Sequence, residues 1–352
     1  MNGLTPDFSE GTRFKTNGEI KLLKKIATGG MGTVYQGLLY NVEGFQKQVA
    51  VKTLNSNLSS DLECISYFIH EAKLVANLTH ENIVQLYSLG KYQHSYYMVY
   101  EFITGTNLQD FYTLHSVTGT KVPEEYVIFI VSQIARGLAH AHTFLNNKKE
   151  NSQIVHRDVC PRNIMITTEG LPKLTDFGIA ITREKSAQSN ISGKPLYMSP
   201  EQAARKKVDF RSDIYSLGIV LFYLLTGEHT RDSTLSLTEL IAQASNGYVN
   251  WRKFPCNTNI QLFEILDKML APNPGLRYSD TRELVADLEQ YMYYKGYRTN
   301  ISKLSQYLVQ KMPFIFSPEK CHFNDDKLSY DDLELVACRN SDDQKTILAD
   351  HI

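Results

Sequence analysis

The sequence predicts an α+β fold in two lobes: a small lobe built on an antiparallel sheet with one helix, and a larger, mainly helical lobe. Three observations carry that expectation. The first hundred residues are short β-prone runs parted by glycine or polar turns. After Thr104-Gly105-Thr106 the apolar spacing changes from two to about 3.6. The chain has 352 residues, 42% of them hydrophobic and 21% charged, which allows a large core and excludes disorder throughout.

In order along the chain, residues 19–26, 34–39 and 48–54 read as strands. Ile65, Phe68, Ile69, Ala72, Val75 and Ala76 then fall at helical spacing within residues 62–78, and strands follow at 83–89 and 96–102. In the second part, Val127, Ile130, Val131, Ile134, Leu138 and Ala141 mark a long amphipathic helix. Residues 163–166 and 171–174 read as a short hairpin, and helical patterns recur at 213–225, 236–245, 260–270 and 281–291. Ile301, Leu304, Leu308 and Met312 continue the helical spacing and are expected to pack on the large lobe. The divisions expected are an N-terminal extension over 1–19, a small lobe over 20–102, a large lobe over 103–294 and a C-terminal extension with an acidic tail over 295–352. Residues 317–352 hold 4 basic and 9 acidic side chains, net −5, so the rest of the chain carries +4 of the total of −1.

Charge and cysteines narrow the function. With 37 basic against 38 acidic side chains, a whole-protein electrostatic case for nucleic acid has no footing. Five cysteines with no C-x-x-C pair argue against a disulfide framework and a zinc site, and suit a reducing compartment. The start of the chain has no basic segment followed by an apolar run, and the longest apolar stretch, 214–225, is well short of the roughly twenty residues of a membrane span. The expectation is a cytoplasmic protein with no integral membrane segment.

Several segments bear chemistry. Ala27-Thr28-Gly29-Gly30-Met31-Gly32-Thr33-Val34 lies between two strands, where glycines permit a tight turn whose amides can approach phosphates. Taken alone it is equally an ordinary hairpin turn. Val49-Ala50-Val51-Lys52 puts a lysine at the end of an apolar strand; alone it would be a charge reaching water. Nineteen residues on, Glu71 in the predicted helix would pair with that lysine if the two were buried together. His156-Arg157-Asp158 is followed by Asn163 and then by Asp176-Phe177-Gly178. The short hairpin between would bring Asn163 and Asp176 together as oxygen ligands for a hard cation such as Mg²⁺. Asp158 would orient an incoming hydroxyl and take its proton.

In order and spacing these segments, together with Ser199-Pro200-Glu201, resemble the eukaryotic-type protein kinases over about residues 20–294. The resemblance implies the bilobal kinase fold, ATP and Mg²⁺, and a protein substrate carrying a serine or threonine hydroxyl. It implies that Ala27, Gly29, Gly30 and Gly32 cover the phosphates, with Val34 and Ala50 at the adenine. Lys52, held by Glu71, would contact the phosphates. The main chain of Glu101 and Ile103 would bind adenine, with Tyr100 as gatekeeper. Asp158 would be the base, and Asn163 and Asp176 the metal ligands. Val75, Leu86, His156 and Phe177 would stack as a spine, Glu201 would pair with Arg277, and Asp213 would anchor the catalytic loop. A second copy of the chain is a possible partner for autophosphorylation.

Three positions depart from the common pattern. Ala27 stands where the first glycine of the loop is usual. Cys160 stands two residues after Asp158, where a lysine is usual, and Lys194 follows Gly193 where an activation-segment threonine is usual. His-Arg-Asp-Val-x-Pro-x-Asn with Gly-Lys-x-x-Tyr-Met-Ser-Pro-Glu-Gln is similar to a branch of bacterial Ser/Thr kinases carrying both changes. The expectation is that the cation has moved from the catalytic loop to Lys194, with Arg162 the rival donor. Two other readings stay open: a pseudokinase that binds nucleotide without turnover, prompted by Cys160 and Ala27, and a tyrosine-directed kinase, prompted by Cys160 and Arg162. Arg157 would anchor an activation-loop phosphate on Thr182, Ser186, Ser189 or Ser192.

Overall fold

The computed structural model describes residues 8–16, 18–145, 154–177, 194–255 and 258–316. Gly178, Gly193, the candidate phosphorylation positions Thr182, Ser186, Ser189 and Ser192, and the acidic segment 317–352 lie outside them.

The small lobe is a six-stranded antiparallel sheet in the order β1-β2-β3-β4-β6-β5. Its strands are β1 (Arg13–Lys15), β2 (Glu19–Thr28), β3 (Gly32–Tyr40), β4 (Gln46–Leu54), β5 (Leu86–Tyr92) and β6 (Ser95–Glu101), with helix α1 (Leu62–Val75) between β4 and β5. Asp61 caps α1 by accepting from the amides of Glu63 and Cys64, which explains the sharp start. Phe68, Ala72 and Val75 are buried under the sheet at helical spacing.

Two boundaries differ from the sequence reading. The expected extension over 1–19 joins the lobe at Phe8, buried in the same core as Phe14 and Ile20. Phe14 pairs with Ile20 across β1 and β2, and its ring lies 4.6 Å from that of Tyr97. Strand β5 begins at Leu86 rather than at 83, because residues 82–84 are bonded elsewhere: Val84 N–H donates to Leu174 O, and Leu174 N–H to Asn82 O.

The large lobe opens with β7 (Gly105–Asn107) and α2 (Leu108–Val117), two elements the sequence reading passed over. Asn107 caps α2, and Leu108, Phe111 and Leu114 bury its inner face. Helix α3 (Glu124–His142) is the central helix, packed on α5 (Arg211–Thr226) and α8 (Thr281–Tyr294). The predicted hairpin forms as β8 (Ile164–Thr167) and β9 (Pro172–Leu174), completed to three strands by β7. The short α4 (Pro200–Ala203) precedes α5; then come α6 (Leu237–Ser245), α7 (Ile260–Met269) and α9 (Ile301–Lys311). From α9 onward, Leu304, Leu308 and Met312 are buried in the same core as α3 and α5, as the spacing predicted, with Ile301 packed against it and Ile315 added to it. Among the described residues no helix is long and apolar enough to cross a membrane.

Candidate active site

Between β2 and β3 the chain turns through Gly29, Gly30 and Met31, closed by Gly29 N–H donating to Gly32 O at 2.8 Å. The glycines here have different reasons. A Cβ on Gly32 would lie 2.5 Å from Thr53 O, so packing of β3 on β4 demands glycine. At Gly30 a Cβ would meet nothing of the described chain within 4 Å, and at Gly29 nothing nearer than 3.8 Å. Packing alone leaves those two unexplained; close approach of a ligand from outside explains them. Ala27 sits in the ladder opposite Val34, where a methyl group is accommodated.

Lys52 lies in β4 opposite Val34 on one side and Met98 on the other. Its Nζ is 2.9 Å from Glu71 Oε1 on α1 and 3.1 Å from Asp176 Oδ1, so one ammonium ties sheet, helix and large lobe together. Burial would discharge this lysine, but Asp176 and Glu71 outweigh it and hold its pKa well above the ordinary value. The same Lys52 charge keeps the Asp176 carboxyl below the ordinary range. Burial pushes Glu71 up, with Lys52 opposing. Tyr100 is buried opposite Ala50, and its hydroxyl sits beside the Glu71 carboxylate and donates to Met98 Sδ at 3.0 Å. Glu101 ends β6, its carboxylate accepting from Lys173 Nζ at 2.9 Å. Ile103, in the link to β7, makes no main-chain hydrogen bond among the described residues.

The loop between α3 and β8 is hung from Asp213, near the start of α5. Asp213 accepts from the amides of His156 and Arg157, both at 2.7 Å, and its Oδ2 is 2.8 Å from His142 Nε2. Arg157 and Asp176 both have left-handed backbone, with φ of 66° and 52°. Strain of this kind persists only where surroundings impose it, and here it falls at Asp176 and at the residue before Asp158. Asn163 Nδ2 donates to both Asp158 O and Asp158 Oδ2 at 2.8 Å. That leaves Asn163 Oδ1 for a cation, while Asp158 Oδ1 is buried with no hydrogen-bond partner among the described residues. Thr175 N–H donates to Asn163 O at 2.9 Å, which ties the residue before Asp176 to Asn163 at the open end of the hairpin. An orphaned carboxylate oxygen beside an amide oxygen and a second carboxylate is a donor set that fits Mg²⁺ and an acceptor hydroxyl. The His156 ring lies 4.6 Å from that of Phe177, and burial keeps it neutral by lowering its pKa; Val75, Leu86 and Phe177 share one core.

Lys194 reaches back to this loop: its Nζ is 3.1 Å from Cys160 Sγ. Burial, reinforced by Asp158, pushes the Cys160 thiol up against the opposing pull of Lys194, so the thiol stays neutral and supplies no anion to pair with the lysine. The charge of Lys194 is also among those lowering Asp176, after Lys52. Arg162, the rival donor, is exposed, and its charge acts on Tyr197.

Two supports lie behind. Glu201 and Arg277 form a bidentate pair at 2.7 and 2.9 Å, and Ser199 caps α4 through a reciprocal box with Gln202. Arg231, only 1% exposed, donates to the carbonyls of Pro195, Leu196 and Met198 and fixes the segment that follows Lys194. Sequence reasoning missed Arg231, because no motif marks an arginine whose acceptors are carbonyls more than thirty residues away. It also missed Asn55, whose side chain bonds the glycine turn.

A family model described as protein kinase domain matches residues 20–291. The tyrosine-protein kinase MasK of Myxococcus xanthus is 33% identical over 281 residues, covering 78% of this chain and 43% of that protein. The serine/threonine-protein kinase PrkC of Bacillus subtilis is 33% identical over 278 residues, covering 78% of this chain and 41% of that protein. The serine/threonine-protein kinase PknL of Mycobacterium tuberculosis is 34% identical over 274 residues, covering 75% and 63%. The chain thus spans about two fifths of the length of the first two relatives. The crystal structure of the Mycobacterium tuberculosis PknI kinase domain superposes with a TM-score of 0.58 over 81% of this chain and 99% of that one, at 24% identity, a likeness of fold.

Proposed function

This chain belongs to the protein kinase family, and from that premise we propose that it transfers the γ-phosphoryl group of ATP to serine or threonine hydroxyls of a protein substrate. The observation that carries the reading is the joined chain Glu71–Lys52–Asp176 beside the unpartnered Asp158 Oδ1. Lys52 would hold the α- and β-phosphates, and Gly29, Gly30 and Gly32 would cover them. The main chain of Glu101 and Ile103 would bind adenine next to Val34, Ala50 and Tyr100. Asn163 and Asp176 would hold Mg²⁺, which when bound neutralises charge on the phosphate oxygens.

The chemistry left to the protein is positioning and charge. Asp158 Oδ1 orients the acceptor hydroxyl and takes its proton as the new O–P bond forms. The bond from the γ-phosphorus to its bridging oxygen breaks, and ADP leaves. Charge developing on the moving phosphoryl group meets Lys52 and Lys194. We infer that Lys194 replaces the lysine absent at Cys160, a reading supported by the 3.1 Å approach of its ammonium to Cys160 Sγ. A cytoplasmic protein substrate, and a second copy of the chain for autophosphorylation, belong to the same proposal.

The test is transfer of ³²P from Mg-ATP to the chain and to myelin basic protein. Wild type transfers and Asp158→Asn does not; a wild type that binds nucleotide without transferring would replace the reading with a pseudokinase. Likeness to a relative named as a tyrosine kinase supports a second reading, tyrosine as acceptor. Phosphoamino-acid analysis of the product separates the two: phosphoserine or phosphothreonine is expected, and phosphotyrosine alone would reverse the assignment.

A further inference from the structure

Asn55 stands just past β4, three residues after Lys52, and all its polar contacts with the glycine turn run in one direction. Its Nδ2 donates to Gly29 O at 2.9 Å and to Gly30 O at 3.2 Å, and its main-chain N–H donates to Met31 O at 3.0 Å. Its Oδ1 accepts from Thr33 Oγ1 at 3.0 Å. Three successive carbonyls of the turn are thereby drawn to one residue. In a trans peptide the C=O of one residue and the N–H of the next point in opposite directions. Holding the carbonyls of Gly29 and Gly30 toward Asn55 therefore turns the amides of Gly30 and Met31 away from it. Neither amide makes a hydrogen bond among the described residues, and a Cβ at Gly30 would meet nothing within 4 Å. Two unpaired, co-directed N–H groups on an unobstructed turn form an anion cradle.

We propose that Asn55 is a positioning residue for nucleotide phosphates, fixing the glycine turn with its amides presented before the ligand arrives. The proposal rests on the reading of this site as a nucleotide site and assigns to Asn55 the part of affinity that depends on the phosphates. Without the clamp, a turn of two glycines and a methionine must be ordered at the moment of binding, and that cost appears in affinity.

The experiment uses the full chain, wild type and Asn55→Ala, with the affinities of Mg-ADP and of adenosine measured by calorimetry alongside the melting temperature. Adenosine shares the base and ribose but has no phosphate. Loss of two side-chain donors is expected to weaken Mg-ADP by roughly five- to tenfold and to change adenosine binding less than about twofold. Asn55→Gln, which keeps the amide donors on a longer stem, is expected to recover part of the loss. Equal weakening of both ligands in Asn55→Ala, or unchanged Mg-ADP affinity, would overturn the proposal. A wild type that binds neither ligand would instead overturn the nucleotide reading and the proposal with it.

Discussion

At Cys160 a buried thiol and an ammonium meet, and which of them carries charge decides what the pair does. The thiol is pushed up by burial more than Lys194 pulls it down, so it stays protonated at neutral pH and leaves the lysine its charge. Cys160 is therefore expected to resist iodoacetamide in the folded chain at pH 7.5, and Cys160→Ser is expected to keep phosphotransfer within about threefold of wild type. Rapid labelling, read by mass spectrometry, would mean a thiolate paired with Lys194 instead. The carboxylate of Glu201 behaves differently: burial alone would raise it, but the two bonds from Arg277 hold it below its ordinary value of 4.5. A depressed carboxyl contributes stability above the unfolded pKa and loses it as pH falls through the folded one. Glu201→Gln is expected to lower the melting temperature at pH 7, with the gap to wild type narrowing below about pH 4.5. A gap constant with pH would show that Arg277 is not what holds that carboxylate.

At the scale of elements, the hairpin β8–β9 carries both candidate metal ligands and is gripped from outside. Gly170 at its turn has φ of +87°, and a Cβ there would lie 2.2 Å from Ile301 O on α9. Ser305 Oγ also donates to Thr168 O at 2.7 Å. Gly170→Ala is expected to cost more than the roughly 1 kcal/mol of the backbone conformation alone, because α9 must also retreat. Urea unfolding would read it, and a cost near zero would mean that α9 is not seated there. Much of this level was legible in the sequence. The hairpin followed from two short apolar runs flanking Thr168-Glu169-Gly170, and α9 from Ile301, Leu304 and Leu308. What the sequence concealed are contacts between distant segments. Ile83 and Val84 are as apolar as a sheet strand, yet the segment from Asn82 to Val84 bonds to β9 instead. Helix α2 has its inner face at Leu108, Phe111 and Leu114, but the polar Gln109, Asp110 and Thr113 between them blur the period.

For the whole molecule, charged contacts between the two lobes among the described residues are those of Lys52 with Asp176 and of Glu101 with Lys173. Motif order made the first legible, since Lys52, Glu71 and Asp176 each stand in a segment with a recognisable neighbour. The placement of Lys194 against Cys160 was legible only as a pair of coincident departures, and Arg231 and Asn55 were not legible at all. Each of these two acts through main-chain carbonyls, which carry no sequence signature. The proposal that Lys194 supplies the cation of the catalytic loop is tested by removing that lysine and then restoring one at position 160. Phosphotransfer would be measured for Lys194→Thr, Cys160→Lys and the double variant, with nucleotide affinity as a control on folding. A loss of roughly a hundredfold or more is expected in Lys194→Thr, of the size seen when a preorganised charge is removed from a transition state. Substantial recovery is expected in the double variant, where the lysine returns to the catalytic loop. Lys194→Thr within a few-fold of wild type, or a double variant as inactive as the single one, would contradict it.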